Sequence, residues 1–407
     1  MKQMKQNSKN IDRRNFLRIS AAAGAGAAFF PKDVNASAIR PTPGTAKIEQ
    51  NIEIPVRTLG RTGLQVPILS MGVMRADNPS VVRAAYNSGI KFFDTANNYQ
   101  QGRNEEMLGT FFEDKPRDSF IIATKASLEY PLVEKSIPEF EEKVETSLKR
   151  LKMSYVDIFY IHGPRTAEAL LDEQVIATIK KVKDSGKARF IGFSTHAPDI
   201  PAQIDAAVKA GIYDVILTSY NFKQNFLDRM NPAIERAAAA GIGFVVMKAL
   251  TGGVEDAEGK TKVNGQACLK WVWQNKNITT VIPGFTNYDL LDDCLAAVKS
   301  PTLNDDEKKY LASLQNKEML YCQQCGQCAG QCPEKLPIPD LMRAYMYAFG
   351  YKQAQLSKET LATLQFSDNP CSTCVGGCKV NCPSGFNVRT KIAAIQPIRN
   401  VPDVFLT

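Results

Sequence analysis

Four side chains in the first half of the chain have the types and the placement to handle protons together: Asp94, Tyr99, Lys125 and His162. Asp94 directly follows the apolar pair Phe92 and Phe93, and Tyr99 follows in the next loop. Lys125 and His162 end the apolar runs 120–124 and 156–161. A polar side chain where a buried strand ends sits at the rim of a sheet, and in an α/β barrel that rim carries the chemistry. Reducing a carbonyl needs a hydride on carbon and a proton on oxygen. A phenol with a pKa of ~10 is a poor acid–base group at neutral pH. A nearby ammonium favours the phenolate and lowers that pKa, so Lys125 is expected to lower the pKa of Tyr99. Asp94 would hold Lys125 charged and oriented, and His162 would hydrogen-bond the substrate oxygen.

A second set lies near the C-terminus. Eight of the ten cysteines fall between Cys322 and Cys382; only Cys268 and Cys294, which read as buried thiols, lie outside. Cys322, Cys325, Cys328 and Cys332 follow the x2, x2, x3 spacing of the bacterial iron–sulfur run, with Pro333 next. Cys371, Cys374, Cys378 and Cys382, followed by Pro383, repeat it with one extra residue. In two-cluster ferredoxins the fourth cysteine of each run ligates the other cluster. The spacing therefore predicts one [4Fe–4S] cluster on Cys322, Cys325, Cys328 and Cys382, and a second on Cys371, Cys374, Cys378 and Cys332. Two other readings stay open: four disulfides in an exported protein, or eight thiolates on two zinc ions. With only His162 and His196 in the chain, a His-rich metal site is excluded.

The elements that must position these residues alternate. Strand-like runs occur at 68–71, 91–93, 120–124, 156–161, 189–193, 215–218, 243–247 and 280–282. Amphipathic stretches at 80–88, 104–112, 138–151, 167–184, 202–210, 226–240 and 265–275 separate them. Eight such alternations over about 250 residues predict a (β/α)8 TIM barrel at 56–300. A doubly wound open sheet is weakened because no G-x-G-x-x-G follows the first strand. A linking helix is expected in 301–320, opened by Asn304, Asp305 and Asp306. Residues 321–407 form a small, mainly helical iron–sulfur domain, with helices at 338–351 and 357–364. The Leu341, Met342, Tyr345, Met346 and Phe349 stripe reads as packing around the clusters.

The barrel segment resembles the aldo-keto reductases. The run from Arg57 to Val66 looks like that family's opening, and Gly89 to Tyr99 with Gly102 to Gly109 looks like its central signature. Ser147 to Asp157, running on to His162, resembles its fourth unit. The resemblance implies that Asp94, Tyr99, Lys125 and His162 are the catalytic tetrad. It also implies a nicotinamide cofactor, NADP(H) or NAD(H), with Ser194 holding the carboxamide and Tyr220 nearby. Lys248, Leu250, Gly252 and Gly253 match the loop along the pyrophosphate, and Pro283, Gly284 and Thr286 the start of the adenosine segment. Three positions depart from the family. Leu217 stands for a Gln, Leu290 for an Arg on the 2′-phosphate, and Asp293 with Cys294 for a Glu-Asn pair. The cysteine domain resembles α-helical ferredoxins.

Residues 1–38 read as an export leader. They hold seven Lys/Arg against Asp12 and Asp33, a net of +5, leaving +3 of the chain's +8 for the rest. Arg13 and Arg14 precede a mildly apolar run, Ile19 to Phe30, and Ala36, Ser37 and Ala38 have the spacing of a cleavage site. The segment resembles a twin-arginine signal, although Asp12 replaces the usual Ser or Thr. Residues 39–55 are a linker. No apolar run approaches the roughly 20 residues a membrane span needs, and the residual charge gives no case for nucleic acid. These features predict an exported, periplasmic or extracytoplasmic oxidoreductase acting on a small carbonyl or alcohol, with the translocation machinery as a partner and a redox partner protein as a candidate. Two competing readings make the barrel a docking scaffold for an iron–sulfur electron carrier, or the clusters purely structural.

Overall fold

The computed structural model describes residues 53–251, 263–315, 320–364, 366, 371, 374 and 378–406. Eight parallel strands form one sheet: β3 (Met71–Gly72), β4 (Phe92–Asp94), β5 (Ile121–Ala126), β6 (Val156–His162), β7 (Ala188–Thr195), β8 (Val215–Ser219), β9 (Gly243–Met247) and β10 (Thr280–Val281). Each pairs with its sequence neighbour. A parallel bridge between Leu69 and Val281 joins the last strand to the first, which closes the ring. An antiparallel hairpin that the sequence did not announce, β1 (Val56–Thr58) and β2 (Gln65–Pro67), precedes the barrel. Its Leu59 and Val66 pack with the barrel interior, among Phe92, Ile158, Val215 and Val245, and plug one end.

Period two decides what faces inward. Phe92, Ala123, Ile158, Tyr160, Val215, Leu217 and Val245 fill the interior, while Phe93, Ile122, Phe159, Ile161, Ile216 and Val246 point outward to the helices. Stepping two residues on from the interior set reaches Asp94 from Phe92, Lys125 from Ala123 and His162 from Tyr160. Each is the next inward position, so the same alternation that builds the dry interior delivers polar groups at the mouth.

The helices lie outside the strands: α1 (Pro79–Asn87), α2 (Arg103–Phe112), α3 (Ser136–Leu151), α4 (Ala167–Leu171), α5 (Glu173–Asp184), α6 (Ile200–Ala210), α7 (Leu227–Ala239), α8 (Gly265–Trp273) and α9 (Tyr288–Lys299). The single helix expected over 167–184 is broken at Asp172. Its carboxylate accepts from the N–H groups of Gln174 and Val175 and so starts α5. Helix α9 carries Cys294, which the sequence reading places in a barrel helix without giving that helix bounds. Asn287 caps it, and it buries Leu291, Cys294, Leu295 and Val298 at helical spacing.

The linking helix α10 (Asp305–Gln315) begins as expected, with a reciprocal cap. Asn304 Oδ1 accepts from the Glu307 N–H at 2.8 Å, and Glu307 Oε2 accepts from the Asn304 N–H at 3.0 Å. The other Glu307 oxygen meets the Lys270 ammonium of α8 at 2.7 Å in a buried ion pair. Beyond it come α11 (Ile338–Tyr345), a π turn (Met346–Gly350), α12 (Ala354–Ala362) and α13 (Val388–Ile395). Ile338, Leu341, Met342, Leu361, Val388, Ile392 and Ile395 form their common core, with Cys328 and Cys371 in it. No helix among the described residues is long and apolar enough to cross a membrane.

Removing one member of a buried pair strands the other charge, at about 3 kcal/mol or more. Glu307→Ala should therefore lower unfolding stability by about 3 kcal/mol in denaturant titration, more than loss of a cap alone would. A loss under about 1 kcal/mol would mean that the pair contributes nothing.

Candidate active site

The structure brings Asp94, Tyr99, Lys125 and His162 to one wall of a cavity of about 1130 Å³ at the mouth of the barrel. Lys125 Nζ donates to Asp94 Oδ1 at 2.5 Å and to the Thr95 carbonyl at 2.6 Å. Both side chains are almost fully buried. The same ammonium lies 5.0 Å from the centre of the Tyr99 ring, and Tyr99 meets His162 edge-on with ring centres 5.8 Å apart. The loop carrying Tyr99 is held from behind. Asn104 donates to the carbonyls of Val73 and Ala76 and contacts Thr95 Oγ1, while Glu105 accepts from Thr124. Gly102 sits at φ +95° against the Arg150 guanidinium, where a Cβ would lie 2.2 Å from Cζ. The Gly-Arg-Asn-Glu run thus clamps the loop rather than touching substrate.

The electrostatics differ from expectation at Tyr99. Its pKa is raised well above the usual value by burial first, then by Asp94, Tyr347 and Tyr351. The expected depression by Lys125 is absent because that ammonium is already committed to Asp94 and Thr95. Burial pushes Asp94 up and Lys125 down, and their attraction opposes both shifts. His162 is lowered to about 3 by burial, Lys125 and Arg343, so its imidazole is neutral at working pH.

The same cavity is lined by most of the residues expected to bind a nucleotide. Ser194 is the register partner of His162, and its Oγ is buried without a hydrogen-bond partner. Lys248 Nζ is likewise buried and unpartnered, and its pKa falls to about 7, chiefly through burial and then Arg343. Leu250, Pro283, Gly284 and Thr286 also line the cavity. Gly252 and Gly253 lie outside the described residues, as does the 1–38 leader. Tyr220 departs from expectation. Its hydroxyl bonds Asn231 and Asn275, its ring lies 5.1 Å from Trp271, and it does not line the cavity. Leu217 packs inside the barrel, where it offers no hydrogen bond.

Sequence reasoning missed what the C-terminal domain contributes. Arg343, Tyr347, Tyr351 and Leu356 line the same cavity. Arg75 bonds the Tyr351 carbonyl at 2.9 Å, Asn221 bonds Gln323 at 2.7 Å, and Arg165 pairs with Asp340 at 3.1 Å. The stripe read as packing around clusters splits in two. Leu341 and Met342 face the cysteines, whereas Met346 and Tyr347 pack with Tyr321 and with Met74 of the barrel. No signal in one sequence could have shown which of the two surfaces each residue meets.

None of the eight clustered cysteines forms a disulfide, and they fall into two electrostatic groups. Cys322 feels Cys325, Cys328 and Cys382, and Cys371 feels Cys332, Cys374 and Cys378. Among the described residues, no three Cys, His, Asp or Glu side chains converge as ligands of a single metal ion.

A closed eight-stranded α/β barrel with acid–base groups at its mouth is the TIM-barrel arrangement. The profile described as "Aldo/keto reductase family" matches residues 69–265, within that barrel, and the protein is an oxidoreductase of aldo/keto reductase type. The chain is 28% identical over 284 residues to L-galactose dehydrogenase of Arabidopsis thaliana, covering 60% of this chain and 88% of that one. It is 24% identical over 324 residues to L-glyceraldehyde 3-phosphate reductase of Escherichia coli O157:H7, covering 64% and 92%. Among solved structures, the holo form of an aldo-keto reductase from Bacillus halodurans superposes with a TM-score of 0.55 at 23% identity, over 67% of this chain and all of that one, a likeness of fold. The profile of the twin-arginine translocation signal matches residues 10–30, so the chain is exported by that route out of the cytoplasm.

With His162 neutral down to about pH 3 and Tyr99 protonated well past pH 10, neither should give carbonyl reduction a limb between pH 5 and 9; a fall in activity as pH rises through about 7 belongs to Lys248 losing its charge. A pH–rate profile of kcat/KM with an acid limb near 6.5 that vanishes in His162→Ala would contradict this.

Proposed function

We propose that the protein reduces a small carbonyl compound with a nicotinamide nucleotide held at the barrel mouth, and carries two [4Fe–4S] clusters in its C-terminal domain. The observation that carries the reading is the meeting of two sets of residues in one cavity. Asp94, Lys125, Tyr99 and His162 are one, and the unpartnered Ser194 Oγ and Lys248 Nζ the other. Buried polar atoms left without partners ask for a ligand. Ser194 fits a carboxamide and Lys248 a phosphate. A bound nucleotide would supply the hydride. Tyr99 then gives its proton to the carbonyl oxygen, neutral His162 donates a hydrogen bond to that oxygen, and Asp94 fixes Lys125 beneath the phenol. The raised Tyr99 pKa keeps the phenol protonated, the form that reduction starts from, though it makes the phenol a weaker acid.

At the adenosine end, Asp289, Leu290 and Asp293 line the cavity. Two carboxylates suit ribose hydroxyls and repel a 2′-phosphate, which favours NAD(H) over NADP(H). The C-terminal domain lines the same cavity through Tyr351, Leu356 and Thr360. A nucleotide enclosed in this way would stay bound, which suits a folded protein exported to a compartment without free cofactor.

The charge grouping of the cysteines supports the cluster reading, with Cys322, Cys325, Cys328 and Cys382 in one set and Cys332, Cys371, Cys374 and Cys378 in the other. Clusters would supply one-electron transfer. Cysteines around a cubic cluster need not converge on one point, whereas zinc ligands must. Iron and sulfide analysis of anaerobically purified protein should give two four-iron clusters per chain; zinc, or neither metal, overturns this half of the proposal.

Tyr99→Phe should lower carbonyl reduction by about 10²-fold or more while leaving nucleotide binding and cluster spectra unchanged. Full activity in that variant would remove Tyr99 from the chemistry. Released nucleotide, identified by mass spectrometry, should be NAD(H).

A further inference from the structure

Arg343 belongs to the C-terminal domain, on α11, yet its guanidinium reaches the active-site cavity. One arm donates to Asp340 at 2.5 Å, and the other lies 3.1 Å from His196 Nδ1. Burial, Arg343, Lys248 and His162 all push the His196 pKa down, so the ring is neutral. A guanidinium has only donors, so Nδ1 must accept from it and the ring proton sits on Nε2. Arg343, His162, His196 and Tyr347 all line this cavity, and the Arg343 charge helps to lower the pKa of both imidazoles.

Two guanidiniums, Arg343 and Arg165, share the Asp340 carboxylate. The remaining N–H groups of Arg343 and the Nε2 proton of His196 therefore present donors to the cavity that both residues line. Buried donors of this kind call for an anion, and a guanidinium suits a carboxylate by geometry as well as charge.

The geometry points to Arg343 and His196 as a subsite for a carboxylate carried by the substrate, so that the C-terminal domain selects an oxo-acid or aldehyde-acid for the barrel to reduce. This rests on the reductase reading given above. Arg343 is a specificity residue that completes the site from outside the barrel, and it takes no part in proton or hydride transfer.

The probes are 4-carboxybenzaldehyde and its neutral analogue 4-carbamoylbenzaldehyde, with the full-length holoprotein. Calorimetric Kd and kcat/KM are measured for each, together with the Kd of NAD. The carboxylated aldehyde should be favoured by about tenfold or more, the scale of a charge-assisted hydrogen bond. Arg343→Gln should bring the ratio to about one by raising Kd and KM for the carboxylate alone, and Arg343→Lys should restore part of it. The double variant Arg343→Gln with Asp340→Asn repeats the test without an unpaired carboxylate, in case the single variant misfolds. Equal handling of the two aldehydes by the native protein overturns the proposal. So does a parallel loss of NAD affinity in Arg343→Gln, which would assign the residue to the nucleotide phosphates. Arg343-dependent binding of the carboxylate without turnover of either aldehyde would uphold the subsite and refute the reductase reading.

Discussion

The mouth of this barrel is organised by one buried ion pair. Asp94 and Lys125 lie on adjacent strands, out of water, with the ammonium also bonded to the Thr95 carbonyl. Neither charge could remain there alone, because an unpaired buried ion costs several kcal/mol. The pair fixes the floor on which Tyr99 rests, with the ammonium 5.0 Å below the ring. It also sets the local potential. The carboxylate joins burial in raising the phenol, and the ammonium joins burial in lowering His162. A Tyr that holds its proton and a His that never gains one are the two states needed to protonate a carbonyl oxygen and to donate to it.

The C-terminal domain is more than a cysteine-rich extension. It meets the barrel across a polar seam, Arg75 to Tyr351, Asn221 to Gln323 and Arg165 to Asp340, and an apolar one, Met74 against Met346 and Tyr347. Both seams surround the cavity that holds the proton-handling residues. The domain therefore changes the dielectric and the charge at the site as well as its shape. Tyr347 and Tyr351 raise Tyr99, and Arg343 lowers both histidines and Lys248. In the proposed function, the clusters and the nucleotide would be neighbours across this interface.

Much of the site was legible because strand period and strand end are local properties. Phe92 to Asp94, Ala123 to Lys125 and Tyr160 to His162 are each two-residue steps along an inward face, and a run of apolar residues marks where each strand ends. What escaped was of two kinds. The hairpin at Val56–Thr58 and Gln65–Pro67 is short, and the helix around Cys294 was expected but its bounds, Tyr288–Lys299, were not. Tyr220 was assigned by resemblance, but its hydroxyl finds two Asn side chains on the outer layer, and those bonds draw it away from the cavity.

From the sequence alone came the ring of alternating strands and helices, the four rim residues, the two cysteine runs and the leader. All of these are written in spacing, which a chain carries whether or not it is folded. The tertiary structure decided how charge is distributed at the mouth and which residues from residue 320 onward reach it. Arg343 lies 249 positions along the chain from Asp94, and no periodicity connects them. Only packing of the helical domain over the barrel rim brings that guanidinium to His196, because pKa and ligand choice depend on distance through space and not along the backbone.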